Sequence, residues 1–143
     1  MATTMTLKLE KFHLLMQRYG HDAIPLPCPG LVDLIEAGEI DGPRITAKLH
    51  ELLSPWMDRP IKAVVLGCTH YIYLRPALQA YLPEGVALVD GNAGTVRQLQ
   101  KRLSKQGLLQ VTTPAQPPPD ARHGQILFLS TSPDTTVPAR MQA

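Results

Sequence analysis

Four side chains that can do chemistry follow one another without a gap at Cys68, Thr69, His70 and Tyr71: a thiol, a hydroxyl, an imidazole and a phenol. The apolar run Val64-Val65-Leu66 stops at Gly67 immediately before them. In open α/β sheets, ligands bind just outside the carboxyl ends of the strands, and this string has the look of such an end. A free thiol has a pKa of about 8.5, so only a small fraction is thiolate at neutral pH. A strand-to-helix turn raises that fraction, because its backbone N–H groups and the helix dipole favour an anion. Thr69 can donate a hydrogen bond, and His70 can stabilise the thiolate or relay its proton. A thiolate so placed can serve as nucleophile, general base or metal ligand. Metal binding is the weakest of the three, since no Cys/His pair has zinc spacing.

The other reactive residues carry less. Cys28 lies between Pro27 and Pro29 with no polar neighbour, and reads as a small buried hydrophobe. Tyr71 and Tyr73 read as pocket wall or packing. Gly91, Asn92 and Gly94 open a helix and can touch an anion, but neither GxGxxG nor GxxxxGK[ST] is present. Lys101, Arg102 and Lys105 stand at helical spacing and read as a solvated face, not a nucleic-acid patch.

Elements that position the string can be read on either side of it. Residues 6–19 are predicted helical, with Leu7, Leu9, Phe12, Leu15, Met16 and Tyr19 at mostly helical spacing before Gly20. Ala23–Pro27 is extended, because each proline pushes its predecessor away from the helical region. Helices are predicted over Gly30–Ala37 and Arg44–Met57, the latter with Ile45, Leu49, Leu52, Leu53 and Trp56 on one face and Pro55 in its last turn. Ile61–Leu66 and Val86–Val89 have the continuous apolar pattern of parallel strands covered on both sides. Pro76–Leu82 and Ala93–Gln106 are helices, the second with Val96, Leu99 and Leu103 turned inward. The alternation argues for an α/β fold, a parallel sheet flanked by helices, over residues 1–111. A Pro-rich linker follows at 112–124, then a strand candidate within 125–132 and a polar tail at 133–143. Nothing supplies a strand ahead of the first helix, so the chain reads as beginning in the middle of a fold.

The bulk properties exclude several classes. The 143 residues suffice for one ordinary domain, and the net charge of +2 gives no general affinity for nucleic acid. No apolar run approaches the ~20 residues of a membrane span, and residues 1–20 lack a signal-peptide pattern. Two cysteines do not make a disulfide scaffold, so a reduced, cytoplasmic protein is expected.

Gly67-Cys68-Thr69-His70-Tyr71 resembles the second active-site signature of glutamate racemases, Gly-Cys-Thr-His-Tyr-Pro. Further residues fit the same family. Ala2-Thr3 with Thr6 resembles its Ala-Thr-x-x-Thr stretch, and Pro27-Cys28-Pro29-Gly30-Leu31-Val32 with Glu36-Ala37-Gly38 its Cys-Pro-x-Leu-Val…Glu-x-Gly segment. Leu82-Pro83, Val86 to Asp90, Val96-Arg97 and Ile126–Ser130 extend the resemblance over roughly residues 2–132.

The resemblance implies one half of a two-domain aspartate/glutamate racemase-like fold. It also implies a mechanism without cofactor or metal, in which two cysteines face opposite sides of the glutamate α-carbon and the product D-glutamate serves peptidoglycan. By resemblance Cys68 is the second of these cysteines, His70 assists it, Thr69 binds the substrate, and Thr3 and Thr6 lie near the pocket. Departures accompany the matches. Neither Asp-Ser-Gly-Val-Gly-Gly nor the Cys-Asn-Thr segment with the first catalytic cysteine is present, Ile72 replaces a proline, and Asp90-Gly91-Asn92 replaces Asp-Ser-Gly. The chain therefore reads as a C-terminal half, inactive alone. Its expected partners are the amino acid, and a second copy or a complementing N-terminal half, with no nucleic acid or membrane. An aspartate racemase, a cysteine hydrolase using Cys68 and His70, and a non-catalytic binding module are the rival readings.

Overall fold

The computed structural model describes residues 1–109 and residue 131, and Met1–Leu108 form one unit. The expected linker at 112–124, the strand at 125–132 and the tail at 133–143 lie outside the described residues, save Thr131.

Thr3 opens the first helix by accepting the Thr6 N–H on its hydroxyl, at 3.1 Å. The predicted helix over 6–19 is in fact two, α1 (Thr4–Leu7) and α2 (Glu10–Tyr19). Leu9 adopts an extended conformation between them and breaks the backbone ladder. Gly30, at φ +75°, turns the chain into α3 (Leu31–Glu36), which buries Leu31 and Ile35. Helix α4 (Gly42–Leu53) buries Ile45, Leu49, Leu52 and Leu53, as its spacing predicts. It stops earlier than expected: Ser54–Trp56 is a 3-10 turn, because Pro55 has no N–H to continue the α ladder.

Strands β1 (Ala63–Val65) and β2 (Ala87–Val89) pair in parallel, with Ala63 opposite Ala87 and Val65 opposite Val89. Both are shorter than the apolar runs that predict them. The crossover between them is a 3-10 helix over Thr69–Leu74 followed directly by α5 (Arg75–Tyr81). Helix α4 packs on α5, and α3 packs on the 3-10 helix. Val64 and Leu66 point into this layer, where Leu31, Ile45, Leu49, Tyr71, Leu74 and Leu78 are fully buried. Each such aliphatic side chain contributes about 1.5–3 kcal/mol.

Among the described residues, one face of the two strands has no cover, against the expectation that both faces are covered. Ala63, Val65, Ala87 and Val89 share that face, and all four are exposed. Helix α6 (Asn92–Lys105) follows β2, but Val96 and Leu99 are exposed and Leu103 only half-buried, against the predicted inward stripe. Apolar patterning records that a face is suited to burial, and does not supply the surface that covers it.

The start of the chain pairs on both sides. The Met1 amino group donates to the Val65 carbonyl at 2.9 Å, and Gly67 N–H donates to the Met1 carbonyl at 2.8 Å. On the other side Ala2 N–H donates to Leu26 and Cys28 N–H to Ala2, in a parallel bridge of Ala2 with Pro27. Residues 1 and 2 thus run between β1 and the 26–28 segment, ahead of α1.

Candidate active site

The site is built where these segments end. Gly67 ends β1, and the Met1 carbonyl explains why glycine stands there: a Cβ at Gly67 would meet that oxygen at 2.9 Å. With Met1 N–H bonded to Val65 and Met1 carbonyl to Gly67, the register sets Thr3 level with Cys68. Thr3 and Thr6 are joined hydroxyl to hydroxyl at 2.8 Å. Two of the resemblance-derived pocket residues therefore form one hydroxyl pair at the end of the neighbouring segment.

Cys68 is half-buried and caps the 3-10 helix from an extended conformation. That turn is six residues of 3-10 geometry, so α5 begins only at Arg75 and the full helix dipole invoked for the thiolate is not aimed at Cys68. The thiol's partner is instead a side chain. Its Sγ lies 3.7 Å from His70 Nδ1, within reach of a sulfur hydrogen bond. On the far side of the ring, His70 Nε2 lies 3.2 Å from Glu36 Oε1, on α3. Thr69 is exposed beside them.

The three groups define a direction of proton movement. A carboxylate can only accept, so Glu36 beside Nε2 favours the neutral His70 tautomer with its hydrogen on that nitrogen. Nδ1 then carries a lone pair facing the Cys68 thiol. Transfer of the thiol proton to Nδ1 gives a thiolate beside an imidazolium, whose charge Glu36 opposes. The site can thus present either a thiolate base or a thiol acid to a molecule in the crevice.

The turn is pinned from two directions. Tyr71, fully buried, donates its hydroxyl to the Cys28 carbonyl at 3.4 Å. Burial pushes the phenol well above its ordinary pKa, keeping it neutral as a donor. Arg75 donates to the Leu88 carbonyl at 3.3 Å and to Asp90 Oδ2 at 2.5 Å. Asp90 Oδ1 in turn accepts the Asn92 N–H at 2.9 Å, occupying the start of α6 that the sequence offered as an anion contact. Cys28 is the structural cysteine expected: buried, its thiol directed at the Leu26 carbonyl, its pKa raised mainly by desolvation.

Sequence reasoning from the residues alone does not find Glu36, Arg75 or Asp90 as parts of this site. Glu36 is thirty-four positions from His70, and its only signal was its place in the Glu-x-Gly string.

A small parallel sheet, helices on its buried face and a strand-end thiol beside an imidazole make an α/β unit whose fold is similar to that of solved glutamate racemases. Sequence and fold comparisons name the relatives. The chain is 48% identical over 110 residues to the glutamate racemase of Clostridium perfringens, covering 76% of this chain and 42% of that one. It is 41% identical over 119 residues to the glutamate racemase of Pseudomonas aeruginosa, covering 80% and 45%. Escherichia coli glutamate racemase, solved with L-glutamate and the activator UDP-MurNAc-ala, superposes with a TM-score of 0.61 at 33% identity, over 72% of this chain and 40% of that one. The Francisella tularensis enzyme, solved with D-glutamate, gives a TM-score of 0.60 at 27% identity, over 71% and 39%. No family model matches the chain. The chain is thus a relative of glutamate racemases, and spans about two fifths of the length of the curated relatives it matches.

Proposed function

We propose that this polypeptide supplies one catalytic face of a cofactor-independent glutamate racemase. The observation that carries the reading is the thiol–imidazole–carboxylate line of Cys68, His70 and Glu36 at a strand end, in a chain related to these enzymes. Cys68 as thiolate removes the α-proton of glutamate, leaving the electron pair on the α-carbon beside the carboxylate. A second thiol, on the opposite side, returns a proton there, and the configuration inverts. In the reverse direction Cys68 is the acid. His70 takes and returns the Cys68 proton, Glu36 fixes its tautomer, and Thr69, Thr3 and Thr6 bind the polar groups of the amino acid.

Cys28 is only 2% exposed, which supports the reading that Cys68 acts without a second thiol here and that the 143-residue chain is inactive alone. A second thiol, from outside these 143 residues, completes the pair. The product serves peptidoglycan precursor synthesis in the cytoplasm. The test is circular dichroism of L-glutamate incubated with this chain, and again after adding an N-terminal half of a relative. Inversion only in the mixture, lost with Cys68→Ala, is expected; inversion by the chain alone, abolished by Cys68→Ala, would sink the inactivity claim.

The 3.7 Å Cys68–His70 contact also suits a cysteine hydrolase, since adjacency on one turn does not keep the two apart. An acyl adduct on Cys68 in mass spectrometry would favour that reading.

A further inference from the structure

The 68–74 turn leaves the sheet at Gly67 and returns to it at Arg75, and both ends are tied to the same strand. At the start, Leu66 N–H donates to the Val89 carbonyl at 2.8 Å. At the finish, the Arg75 guanidinium spans the Leu88 carbonyl and the Asp90 carboxylate, which bracket that same Val89. Asp90 is itself held by the Asn92 N–H, so the anchor is fixed on its own side. A guanidinium is suited to this, because its planar fork meets a carbonyl and a carboxylate at once where an ammonium meets one point.

We infer that Arg75 is a positioning residue for the Cys68–His70 pair, acting through Asp90. With the Arg75 end released, the turn keeps the Tyr71 hydroxyl bond, the buried side chains of Tyr71 and Leu74 and its packing on α3, but loses its side-chain tie to the β2 end. His70 then drifts from both Cys68 and Glu36, and the thiol loses its proton acceptor. The ionisable group in contact with the thiol is His70, with Glu36 of α3 against the other side of that ring and the Tyr71 phenol of the same turn directed away, to the Cys28 carbonyl. Arg75 touches none of the reacting atoms, and its effect is through geometry. The inference rests on the reading of Cys68 and His70 as the reacting groups.

The experiment uses the full chain and no glutamate. Alkylation of Cys68 by iodoacetamide at pH 7 and the ring-nitrogen NMR signals of His70 are followed in the wild type, Arg75→Met, Asp90→Asn and the double variant. Arg75→Met slows alkylation by roughly 3- to 30-fold, the range of a coupling lost through one intermediary. Distinct Nδ1 and Nε2 signals of His70 collapse toward those of a free imidazole. Asp90→Asn does the same, the double variant adds little to either, and Arg75→Lys recovers part of the rate. Wild-type alkylation and wild-type His70 signals in Asp90→Asn, or additive effects in the double variant, overturn the inference even if Tm falls. Should Arg75→Met not fold, Asp90→Asn decides, because the asparagine keeps an acceptor for the Asn92 N–H. Racemisation is not measured, so the positioning role and the racemase reading fail separately.

Discussion

The phenol of Tyr71 donates to the backbone carbonyl of Cys28 at 3.4 Å, so the turn bearing Cys68 hangs from the 26–28 segment beyond residues 1 and 2. Tyr71→Phe removes one hydrogen bond and leaves a buried carbonyl, at a cost of about 1 kcal/mol. Tyr71→Ala also empties a fully buried site and costs about 3–5 kcal/mol. Urea unfolding followed by circular dichroism measures both, and equal losses would contradict the packing role.

Gly67→Ala sets a methyl group 2.9 Å from the Met1 carbonyl oxygen. Backbone must move, and the expected loss is about 1–3 kcal/mol. Gly91→Ala is the control, since a Cβ there meets nothing within 4 Å. A fall in Tm for the first and little change for the second is the expected pair of results.

The two cysteines differ in reach and in acidity. In the native chain iodoacetamide modifies Cys68 alone, and Cys28 reacts only after denaturation, as intact mass will show. Burial raises the Cys28 pKa in the fold, so its stabilising effect is full below the unfolded value of about 8.5 and is lost as pH rises through the native one. Wild type should therefore lose stability in alkali faster than Cys28→Ala.

Asp90 behaves in the opposite sense. The Asn92 N–H and the Arg75 guanidinium hold its carboxyl below the usual range. Its contribution is present above the unfolded pKa of about 3.9 and disappears as pH falls through the lower native value. The Tm gap between wild type and Asp90→Asn should hold at neutral pH and close in acid. A gap that persists at the lowest pH would show that the carboxylate charge is not its source.

With a complementing half, His70→Gln should lower racemisation by roughly 10²- to 10⁴-fold, the usual worth of a positioned proton carrier. Glu36→Gln, which keeps a hydrogen-bond acceptor but removes the charge, should lose less. A larger loss from Glu36→Gln than from His70→Gln would assign the proton to the carboxylate.

Much of this site is legible where one local segment decides it. Gly67 after an apolar run marks the strand end, and Ile45, Leu49, Leu52 and Leu53 mark the buried face of α4. What is illegible depends on segments distant in sequence. Glu36 reaches His70 only because α3 packs on the 68–74 turn, and Arg75 reaches Asp90 only because β2 returns parallel to β1. Residues 1 and 2 are too few to show a strand pattern, yet they pair on both sides. The exposure of the α6 apolar stripe and of one sheet face is not legible in the sequence, because periodicity does not say whether a partner is present.

The open face has a consequence for how this unit breathes. Val65 and Val89 are 56% and 45% exposed, so water reaches the sheet from one side, and each strand is three residues long. In most α/β domains the central strands are among the last amides to take up deuterium, because only global unfolding frees them. Here the buried turns of α4 should be the slow exchangers, and the Leu66 and Ala87 amides the earlier ones. The Cys68 thiol then rides on a ladder that opens locally, and whatever covers Ala63, Val65, Ala87 and Val89 would quieten that turn from behind.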